Sequence, residues 1–403
     1  MKVLMVHNFY GSSAPSGENQ VFVAEQALLR ARGHEVIELT RHSDEIRARG
    51  MLGAVQGALA TPWNPWMVRA LRQEMQRSRP DVMHVHNTFP LVSPAIFHTA
   101  GPVARVITLH NYRLFCAAGT PLRGCQVCTE CLDRRSAWSA LKYGCYRESR
   151  LATAPVALSV ALHRKLGTWT QHVDAFIALT AFQRERMVGA GLPADRVHVK
   201  PNLYARNVCP IAYERRGEYV VFAGRLSVEK GVDTLIRAWI LWGSTAPELR
   251  IVGDGPLRQS LQQLAASALG TRIRFLGQVS AAESEQQIAT GRLLVLPSIS
   301  FEGFPMVICE ALARGTPVAA SDIGPFPCIV EERVNGILFR PRDAQSLVQE
   351  VRKAWETPGL LERLSEGARR SFEGSYTEGA NYQTVMSIYE QAKVVRRARI
   401  SDQ

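Results

Sequence analysis

The chain has 403 residues, of which 46% are hydrophobic and 21% charged, and it carries a formal net charge of +12. These values indicate a globular protein of two or three domains with enough apolar side chains for hydrophobic cores. The apolar run at residues 151–162 is too short to span a bilayer, which excludes it as a transmembrane helix. Residues 1–11 lack the long apolar region and cleavage site of a signal peptide, so we expect an intracellular protein.

The basic excess is concentrated early in the chain. Residues 1–170 hold 20 basic and 11 acidic side chains, a balance of +9, whereas residues 171–403 hold 28 and 25, a balance of +3. This distribution predicts either an anionic partner surface or substrate, or a basic face that is merely solvated.

Short, β-branched apolar segments alternate with helical segments in the first half, as is typical of strands buried on both faces. Residues 18–36 begin with a helix that Gly33 ends. The polar residues 203–218 indicate a domain boundary. The predicted strands are residues 2–8, 35–39, 82–86, 105–110, 175–179 and 197–202.

The same alternation restarts in the second half, with one or two further helices expected in residues 376–400. Alternation of this kind predicts parallel sheets with right-handed crossovers, hence two doubly wound α/β domains with ligands at the carboxyl ends of the strands. The predicted strands are residues 219–224, 249–253, 273–277, 293–298, 317–321 and 337–339, and the helices between them are residues 231–242, 256–269, 305–315 and 343–355.

The first strand-end loop of the second half carries two cations. A strand ends at Gly224, Arg225 follows it, and Lys230 precedes Gly231 at the start of the next helix. An arginine fork and a lysine ammonium on one loop suit the two phosphates of a nucleoside diphosphate. The alternative is that both are ordinary surface charges.

The segment 301-FEGFPMVICEALARGTPV-318 places two carboxylates around the start of a helix. Pro305 suits the first turn of that helix and Gly315 its end, so Glu302 lies in the preceding loop and Glu310 within the helix. Helical side chains lean toward the N-terminus, so both carboxylates are placed to contact one extended ligand. The alternative is a helix-terminal acid and a solvated glutamate.

The pair Glu302 and Glu310, separated by seven residues, resembles the signature of retaining glycosyltransferases of family 4, the glycosyl transferases group 1, which have the two-domain GT-B fold. Residues 223–231 are similar to the donor-phosphate loop of that family. Residues 249–256, 273–279 and 312–330 also match the family's second domain, and residues 107–113 match its first domain more loosely. The resemblance covers nearly the whole chain.

This resemblance implies a GT-B fold, in which two Rossmann-like domains face each other across a cleft. Residues 1–205 would form the acceptor-binding domain, with a Cys-rich insertion at about residues 113–150. Residues 206–375 would bind the nucleotide-sugar donor. Residues 376–403 would form a helix or helices that pack back toward the first domain.

The resemblance also implies residue roles. Glu310 would hold the ribose hydroxyls of the donor, and Glu302 with the backbone after it would hold the sugar. His110 matches the family's histidine near the reacting sugar, although Asn111 follows it here where family members often have aspartate. The implied catalytic residues are His110, Glu302, Arg225 and Lys230; the implied donor-binding residues are Gly17, Gly224, Arg225, Lys230, Glu302, Gly303, Phe304, Pro305, Met306 and Glu310.

The implied activity is that of a retaining, hexosyltransferase-like enzyme that uses a nucleoside diphosphate sugar, with UDP or GDP as the nucleotide. In this family the acceptor hydroxyl attacks on the face that the phosphate leaves, so the protein contributes positioning and electrostatics. Catalysis needs no metal or cofactor, because the cations of the protein neutralise the diphosphate.

Five of the eight cysteines are crowded into residues 116–145. An intracellular protein disfavours disulfides, so the spacing indicates metal binding. Four thiolates suit a tetrahedral structural zinc, and an iron–sulfur cluster or free or redox-paired thiols are the alternatives. The candidate ligands, of which four would bind, are Cys116, Cys125, Cys128, Cys131 and Cys145.

Residues 134–169 mix cations with apolar and aromatic side chains, which suits a surface that binds anionic lipid. Trp63, Trp66, Trp138 and Trp169 lie in the same half of the chain. We therefore expect a cytoplasmic protein that binds the cytoplasmic face of the membrane peripherally. Its acceptor would be a glycan or polyprenyl-linked precursor of a surface polysaccharide. The alternative is a helix pair with an ordinary core face and a basic solvent face.

Three other classes of function fit less of the sequence. A nucleotide-sugar oxidoreductase or epimerase needs G-x-G-x-x-G after the first strand, and that motif is absent. A nucleic-acid-binding protein is suggested by the charge alone, without a recognised module. A non-catalytic nucleotide-sugar-binding protein would not require the full set of Glu302, Glu310, Arg225 and Lys230.

Overall fold

The computed structural model describes residues 1–11, 16–206, 208–267 and 270–401. The chain divides into two compact units. The first comprises Met1–Pro121, Cys128–Leu203 and Glu378–Gln403, and the second comprises Leu122–Val127 and Tyr204–Thr377. Each unit contains a six-stranded sheet.

The strands alternate with helices along both units, as the sequence predicts. The strands are Lys2–Phe9 (β1), Glu35–His42 (β2), Val82–Asn87 (β3), Ala104–Leu109 (β4), Leu122–Arg123 (β5), Gln126–Val127 (β6), Ala175–Ala178 (β7), Val197–Val199 (β8), Gly217–Ala223 (β9), Glu248–Val252 (β10), Ile273–Gly277 (β11), Gly291–Leu296 (β12), Val318–Ser321 (β13) and Gly336–Phe339 (β14).

The helices of the first half are Gly17–Ala31 (α1), Asp44–Ala48 (α2), Gly50–Ala60 (α3), Pro65–Ser78 (α4), Glu130–Asp133 (α5), Trp138–Tyr143 (α6), Arg150–Lys165 (α7), Thr168–Gln171 (α8) and Ala181–Gly189 (α9). Those of the second half are Val232–Trp242 (α10), Arg258–Ala266 (α11), Ala281–Thr290 (α12), Met306–Arg314 (α13), Ala344–Glu356 (α14), Leu360–Ser375 (α15) and Glu378–Ser401 (α16).

Both six-stranded sheets are parallel throughout. The first has the order β2-β1-β3-β4-β7-β8 and the second β11-β10-β9-β12-β13-β14, while β5 and β6 form a separate antiparallel pair. The order reverses between β1 and β3 in the first sheet and between β9 and β12 in the second. Doubly wound sheets bind ligands at such reversals, beyond the carboxyl ends of the strands. The predicted fold of two Rossmann-like domains is therefore confirmed.

Each sheet has a core of its own. In the second unit, side chains of β9, β10 and β12 pack with α10, α14 and α15, and the fully buried Trp239 donates its indole N–H to Pro247 O at 2.8 Å. In the first unit, Val3, Val82 and Val106 pack against Tyr389 of α16. Burial on both faces explains why these strands are continuously apolar in sequence.

The C-terminal segment forms one continuous helix, α16, where the sequence left one or two helices open. Asp174 fixes its end, because the Arg396 Nε lies 2.9 Å from Asp174 Oδ2 and the Arg399 Nη1 lies 3.1 Å from Asp174 Oδ1. Helices α2 to α5, α9, α12 and α15 lie where the sequence analysis named no helix. Among the described helices, none combines the length and the apolarity that crossing a bilayer requires.

Candidate functional site

The loop after β9 is held against the loop after β10. The Gly224 N–H donates to Val252 O at 3.0 Å, and the Leu226 N–H donates to Asp254 O at 2.9 Å. Gly253 has a φ of +127°, and a Cβ built on it would lie 2.0 Å from the Gly224 carbonyl oxygen. Glycine is therefore required at Gly253, and the close approach of the two backbones positions the loop that carries the predicted phosphate-binding cations.

Lys230 ends a short 3-10 turn on that loop, directly before α10. The following Gly231 has a φ of +62°, and an added Cβ would lie 2.1 Å from Pro297 O, so this loop also packs tightly on the end of β12. The Lys230 Nζ lies 2.8 Å from Glu302 Oε2. Arg225 is exposed, and within the described ranges its side chain has no ion-pair partner. The structure thus brings Lys230 and Glu302 together and leaves the Arg225 guanidinium available to a ligand.

Glu302 lies in the loop between β12 and α13, as predicted, and both of its carboxylate oxygens are engaged. One pairs with Lys230, and the other accepts a hydrogen bond from the Ser298 hydroxyl. The Ile299 N–H donates to Glu229 O at 2.9 Å, which joins the same two loops through their backbones. A carboxylate held at both oxygens is oriented before any ligand arrives, a form of preorganisation.

Helix α13 begins immediately after this loop. Pro305 is its N-cap residue, and no side chain of the described part of the chain caps it. The first-turn N–H groups that follow Gly303 and Phe304, beginning at Met306, are therefore not taken up by a capping side chain. Phe304 is buried and its ring lies 5.7 Å from that of Tyr376. The helix start offers hydrogen-bond donors and a positive dipole end beside Glu302.

Glu310, one and a half turns into α13, lies in a second polar group. Burial, together with the charge of Glu285, raises the pKa of Glu310 to about 7, and Arg206 opposes this shift. Arg206 in turn pairs with Glu285 at 2.7 Å between Nη1 and Oε1. Glu310 is thus a poorly solvated carboxyl that gains from hydroxyl hydrogen-bond donors, which suits a ribose.

In the first unit, His110 follows β4 and is buried. Its Nε2 lies 3.0 Å from His86 Nδ1 at the end of β3. Burial, with a contribution from His7, lowers the pKa of His110 to about 3, so the ring is neutral at physiological pH. Both histidines line a small cavity of about 50 Å³ together with Asn87 and Asn111. His110 is therefore equipped to donate or accept a hydrogen bond, and it is not a cation.

Behind His86 lies a fully buried charged group. The Lys200 Nζ lies 2.8 Å from Glu25 Oε2, and Glu25 Oε1 lies 3.1 Å from His84 Nδ1 and 3.7 Å from His86 Nε2. Burial opposes ionisation of Glu25, but the charges of Lys200 and His84 outweigh it and hold its pKa well below the ordinary value. His84 also contacts the hydroxyl of Tyr389 at 2.7 Å.

Glu25, His84 and His86 have the spacing of a metal-ligand triad, with ligand atoms within 4.8 Å of one another. The Lys200 ammonium already neutralises Glu25 in this group. A divalent cation would have to displace Lys200 from a fully buried position, so we assign the group a structural role rather than a metal site.

Gly17 is the first residue of α1 and is exposed, and residues 12–15 of the loop before it lie outside the described ranges. Asn111 donates to Glu18 Oε1 at 2.7 Å, so the residue that follows His110 is tied to the start of α1. The prediction that Gly17 approaches the donor stays a prediction.

The cysteines differ in exposure. Cys116 and Cys131 are buried, Cys128 and Cys145 are half-buried, and Cys125 is exposed. Burial and the neighbouring Cys116 raise the pKa of Cys131 to about 12, with further contributions from Cys145 and Cys128, so these four thiols lie near one another. No three cysteine sulfurs of the described chain lie within 4.8 Å of one another. Metal binding by the cysteines stays a prediction.

The sequence analysis did not find the residues that contact or surround the predicted site residues. Ser298, Glu285 and Arg206 carry no signal of their own, since polar residues in loops and on exposed helix faces are common. His84 and His86 did carry one: two histidines within a strand predicted to be buried on both faces require partners.

Solved structures resemble this architecture over nearly its whole length. The crystal structure of HepE from Anabaena in complex with UDP aligns with a TM-score of 0.66 at 18% sequence identity, covering 97% of this chain and 100% of that one. A glycosyltransferase from Rickettsia africae aligns with a TM-score of 0.65 at 14% identity, covering 97% and 98%. The fold, with polar residues at the strand ends of the second sheet, is that of a GT-B glycosyltransferase.

Two protein-family models match this chain, one in each half. Residues 20–204 match the model described as Glycosyltransferase Family 4, and residues 212–371 match Glycosyl transferases group 1. The chain belongs to this glycosyltransferase family. The family predicted from the Glu302–Glu310 spacing is thus confirmed.

Curated relatives agree with this assignment. An uncharacterized glycosyltransferase from Methanocaldococcus jannaschii is 32% identical over 175 residues, which cover 42% of this chain and 44% of that protein. The phosphatidyl-myo-inositol mannosyltransferase of Mycobacterium leprae is 25% identical over 402 residues, covering 94% of each. The chain thus spans less than half of the first relative and nearly all of the second.

Proposed function

We propose that this protein is a retaining, metal-independent glycosyltransferase that moves a hexose from a nucleoside diphosphate sugar to a glycan or polyprenyl-linked acceptor. The observation that carries the proposal is the contact between Lys230 and Glu302 at the reversal point of the second sheet, next to the exposed Arg225. A cationic loop beside an oriented carboxylate suits a ligand that has an anionic diphosphate joined to a polyhydroxylated sugar.

In the proposed reaction, the acceptor hydroxyl oxygen forms a bond with the anomeric carbon of the sugar. The bond from that carbon to the β-phosphate oxygen breaks on the same face, and the departing phosphate takes the hydroxyl proton. Arg225 and Lys230 stabilise the negative charge that develops on the diphosphate. Glu302 orients the sugar hydroxyls, Glu310 binds the ribose, and neutral His110 supplies a hydrogen bond near the sugar.

UDP is the nucleotide we favour. HepE, which shares the fold, was crystallised with UDP, with UDP-glucose, and with UDP and glucose. The mycobacterial relative is by name a mannosyltransferase that acts on a phosphatidyl-myo-inositol, which supports a lipid-linked acceptor at a membrane surface. We place the protein at the cytoplasmic face of the membrane, in the assembly of a surface polysaccharide.

Isothermal titration with UDP, GDP and ADP tests the nucleotide, with and without EDTA. We expect UDP to bind most tightly and EDTA to leave its affinity unchanged. Arg225→Ala should weaken UDP binding at least tenfold, whereas Arg237→Ala, a cation on α10, should not. Equal affinity in wild type and Arg225→Ala would contradict the site, and inversion of the anomeric configuration in the NMR spectrum of the product would contradict the mechanism.

A further inference from the structure

Helix α3 exposes the side chains that a helix in water normally buries. Among its residues, Gly50–Ala60, the one polar side chain is that of Gln56. Its large apolar side chains are on the outside: Met51 is 85% exposed, Leu52 80% and Leu59 70%. A surface helix of a globular protein shows the opposite arrangement, with its apolar stripe toward the core.

Packing against α2 fixes this orientation. The inner face of α3 consists of small residues, including Gly53 and Gly57. A Cβ added to Gly53 would lie 2.1 Å from Ile46 O, and one added to Gly57 would lie 2.7 Å from Ile46 Cδ1. A side chain at position 53 would clash with the backbone of α2, so α3 cannot turn a large residue toward α2 at this point.

Elements next to α3 also expose apolar side chains. Helix α3 packs on α7, and the Ser159 hydroxyl of α7 donates to Thr61 O directly after α3. On α7, Leu151 is 88% exposed, and after α3 the indole of Trp66 is 73% exposed. Within the segment that the sequence assigned to a lipid surface, Trp169 and the inner face of α7 are buried, whereas Trp138 is 70% exposed and Leu158 is 56% exposed.

Exposed arginines lie close to these apolar residues along the chain. Arg49 is exposed directly before α3, Arg69 and Arg72 follow Trp66 on α4, and Arg150 opens α7. With the balance of +9 over residues 1–170, this charge opposes the docking of a second copy, because like charges would be brought together. Exposed leucine and tryptophan beside arginine match the interface of an anionic bilayer.

We propose that the outer face of α3, formed by Met51, Leu52, Val55 and Leu59, inserts into an anionic phospholipid bilayer with α3 lying in the membrane plane. An eleven-residue helix is too short to cross the bilayer, so it lies within the interface. The inference rests on the membrane location in the proposed function and assigns the docking surface, which that function leaves open.

Vesicle flotation tests this surface with the full chain. Wild type and the double variant Leu52→Glu/Leu59→Glu are mixed with vesicles of phosphatidylcholine and phosphatidylglycerol, and with phosphatidylcholine alone. We expect wild type to float with the anionic vesicles, and the variant to bind them at least tenfold more weakly. The matched control, Leu241→Glu/Val394→Glu, changes two exposed apolar residues on other helices, α10 and α16, and should bind as wild type does.

Circular dichroism and UDP titration of the same variants separate the possible failures. Unchanged melting and UDP affinity show that the variant is folded and that its donor site is intact, whatever the vesicles report. Equal flotation of wild type and Leu52→Glu/Leu59→Glu would overturn the proposal. A wild-type dimer in analytical ultracentrifugation that this variant splits, without vesicle binding, would also overturn it and assign the face to a second copy.

Discussion

The Lys230 ammonium and the Glu302 carboxylate lie 2.8 Å apart and connect the loops after β9 and β12. Both belong to the predicted donor site, one to the phosphates and one to the sugar. Their pairing neutralises these two charges before a ligand binds and fixes the two side chains relative to each other. An ammonium has three N–H donors, so Lys230 can hold Glu302 and a phosphate oxygen together.

Removing each member of this pair should have different consequences. Lys230→Met removes a phosphate-binding cation, so we expect UDP affinity to fall about tenfold or more, equivalent to about 1.4 kcal/mol. Glu302→Gln keeps the shape of the side chain and removes its charge. We expect near-normal UDP affinity but a kcat at least tenfold lower with the sugar donor. Titration calorimetry and initial rates measure these effects, and normal turnover in Glu302→Gln would rule out its role.

Glu310 should make stability and donor binding depend on pH near neutrality. Its pKa is raised to about 7 from an ordinary value of 4.5. The folded protein therefore loses no stability to Glu310 below pH 4.5, and the loss of stability grows as the pH rises from 4.5 through 7. Glu310→Gln should therefore raise the free energy of unfolding by roughly 1 to 3 kcal/mol at pH 8 and leave it nearly unchanged at pH 4.5.

The same Glu310→Gln substitution should weaken UDP binding, because an amide is a poorer acceptor for ribose hydroxyls than a carboxylate. Urea titrations at the two pH values and calorimetry with UDP check both effects. Glu362→Gln, on the second-unit helix α15, is the control. A stability gain equal at both pH values would contradict the raised pKa.

The buried pair of Lys200 and Glu25 should matter mainly to stability. Lys200→Met leaves an uncompensated buried carboxylate, so we expect a loss of about 3 kcal/mol or more in the free energy of unfolding at pH 7. The double variant Lys200→Met/Glu25→Leu removes both charges and should recover part of that loss. Urea denaturation measures the three variants. If the double variant loses more free energy of unfolding than Lys200→Met and Glu25→Leu lose together, the two side chains do not attract each other.

His86 should act through His110. Because the His86 Nδ1 lies 3.0 Å from His110 Nε2, His86→Phe removes the partner that orients the His110 ring. We expect kcat to fall about tenfold while KM for the donor changes little, and His86→Gln, which keeps a hydrogen-bonding side chain, to restore part of kcat. Equal kcat in His86→Phe and wild type would show that His86 does not position His110 for catalysis.

Zinc content should separate the cysteines into two groups. Cys116, Cys128, Cys131 and Cys145 influence one another, whereas Cys125 is exposed. If zinc binds, its ligands are about 2.3 Å away and must lose their protons, so the four side chains have to close on the metal. We expect about one zinc per chain in protein purified without chelator, lost in Cys131→Ser and kept in Cys125→Ser. Elemental analysis that finds no metal would contradict the prediction of a zinc site at these cysteines.

The sequence by itself determined the two parallel sheets and the loops on which the predicted donor-site residues lie. Strands buried on both faces are continuously apolar in sequence. In residues 217–231 and 291–315 such a strand is followed by a polar loop with a glycine and then a helix, a pattern that can be recognised within a short stretch of sequence. The Glu302–Glu310 spacing likewise lies within one loop and one helix.

Only the tertiary structure decided which groups are partners. Lys230 meets Glu302 across 72 residues, and Lys200 meets Glu25 across 175, and no local pattern records such pairings. The outward apolar face of α3 is likewise decided by tertiary structure, because a mostly apolar helix is normally buried. The glycines that pack against Ile46 decide which face is inside. Propensity and periodicity act between near neighbours, whereas burial and ion pairing are set by which elements the fold brings together.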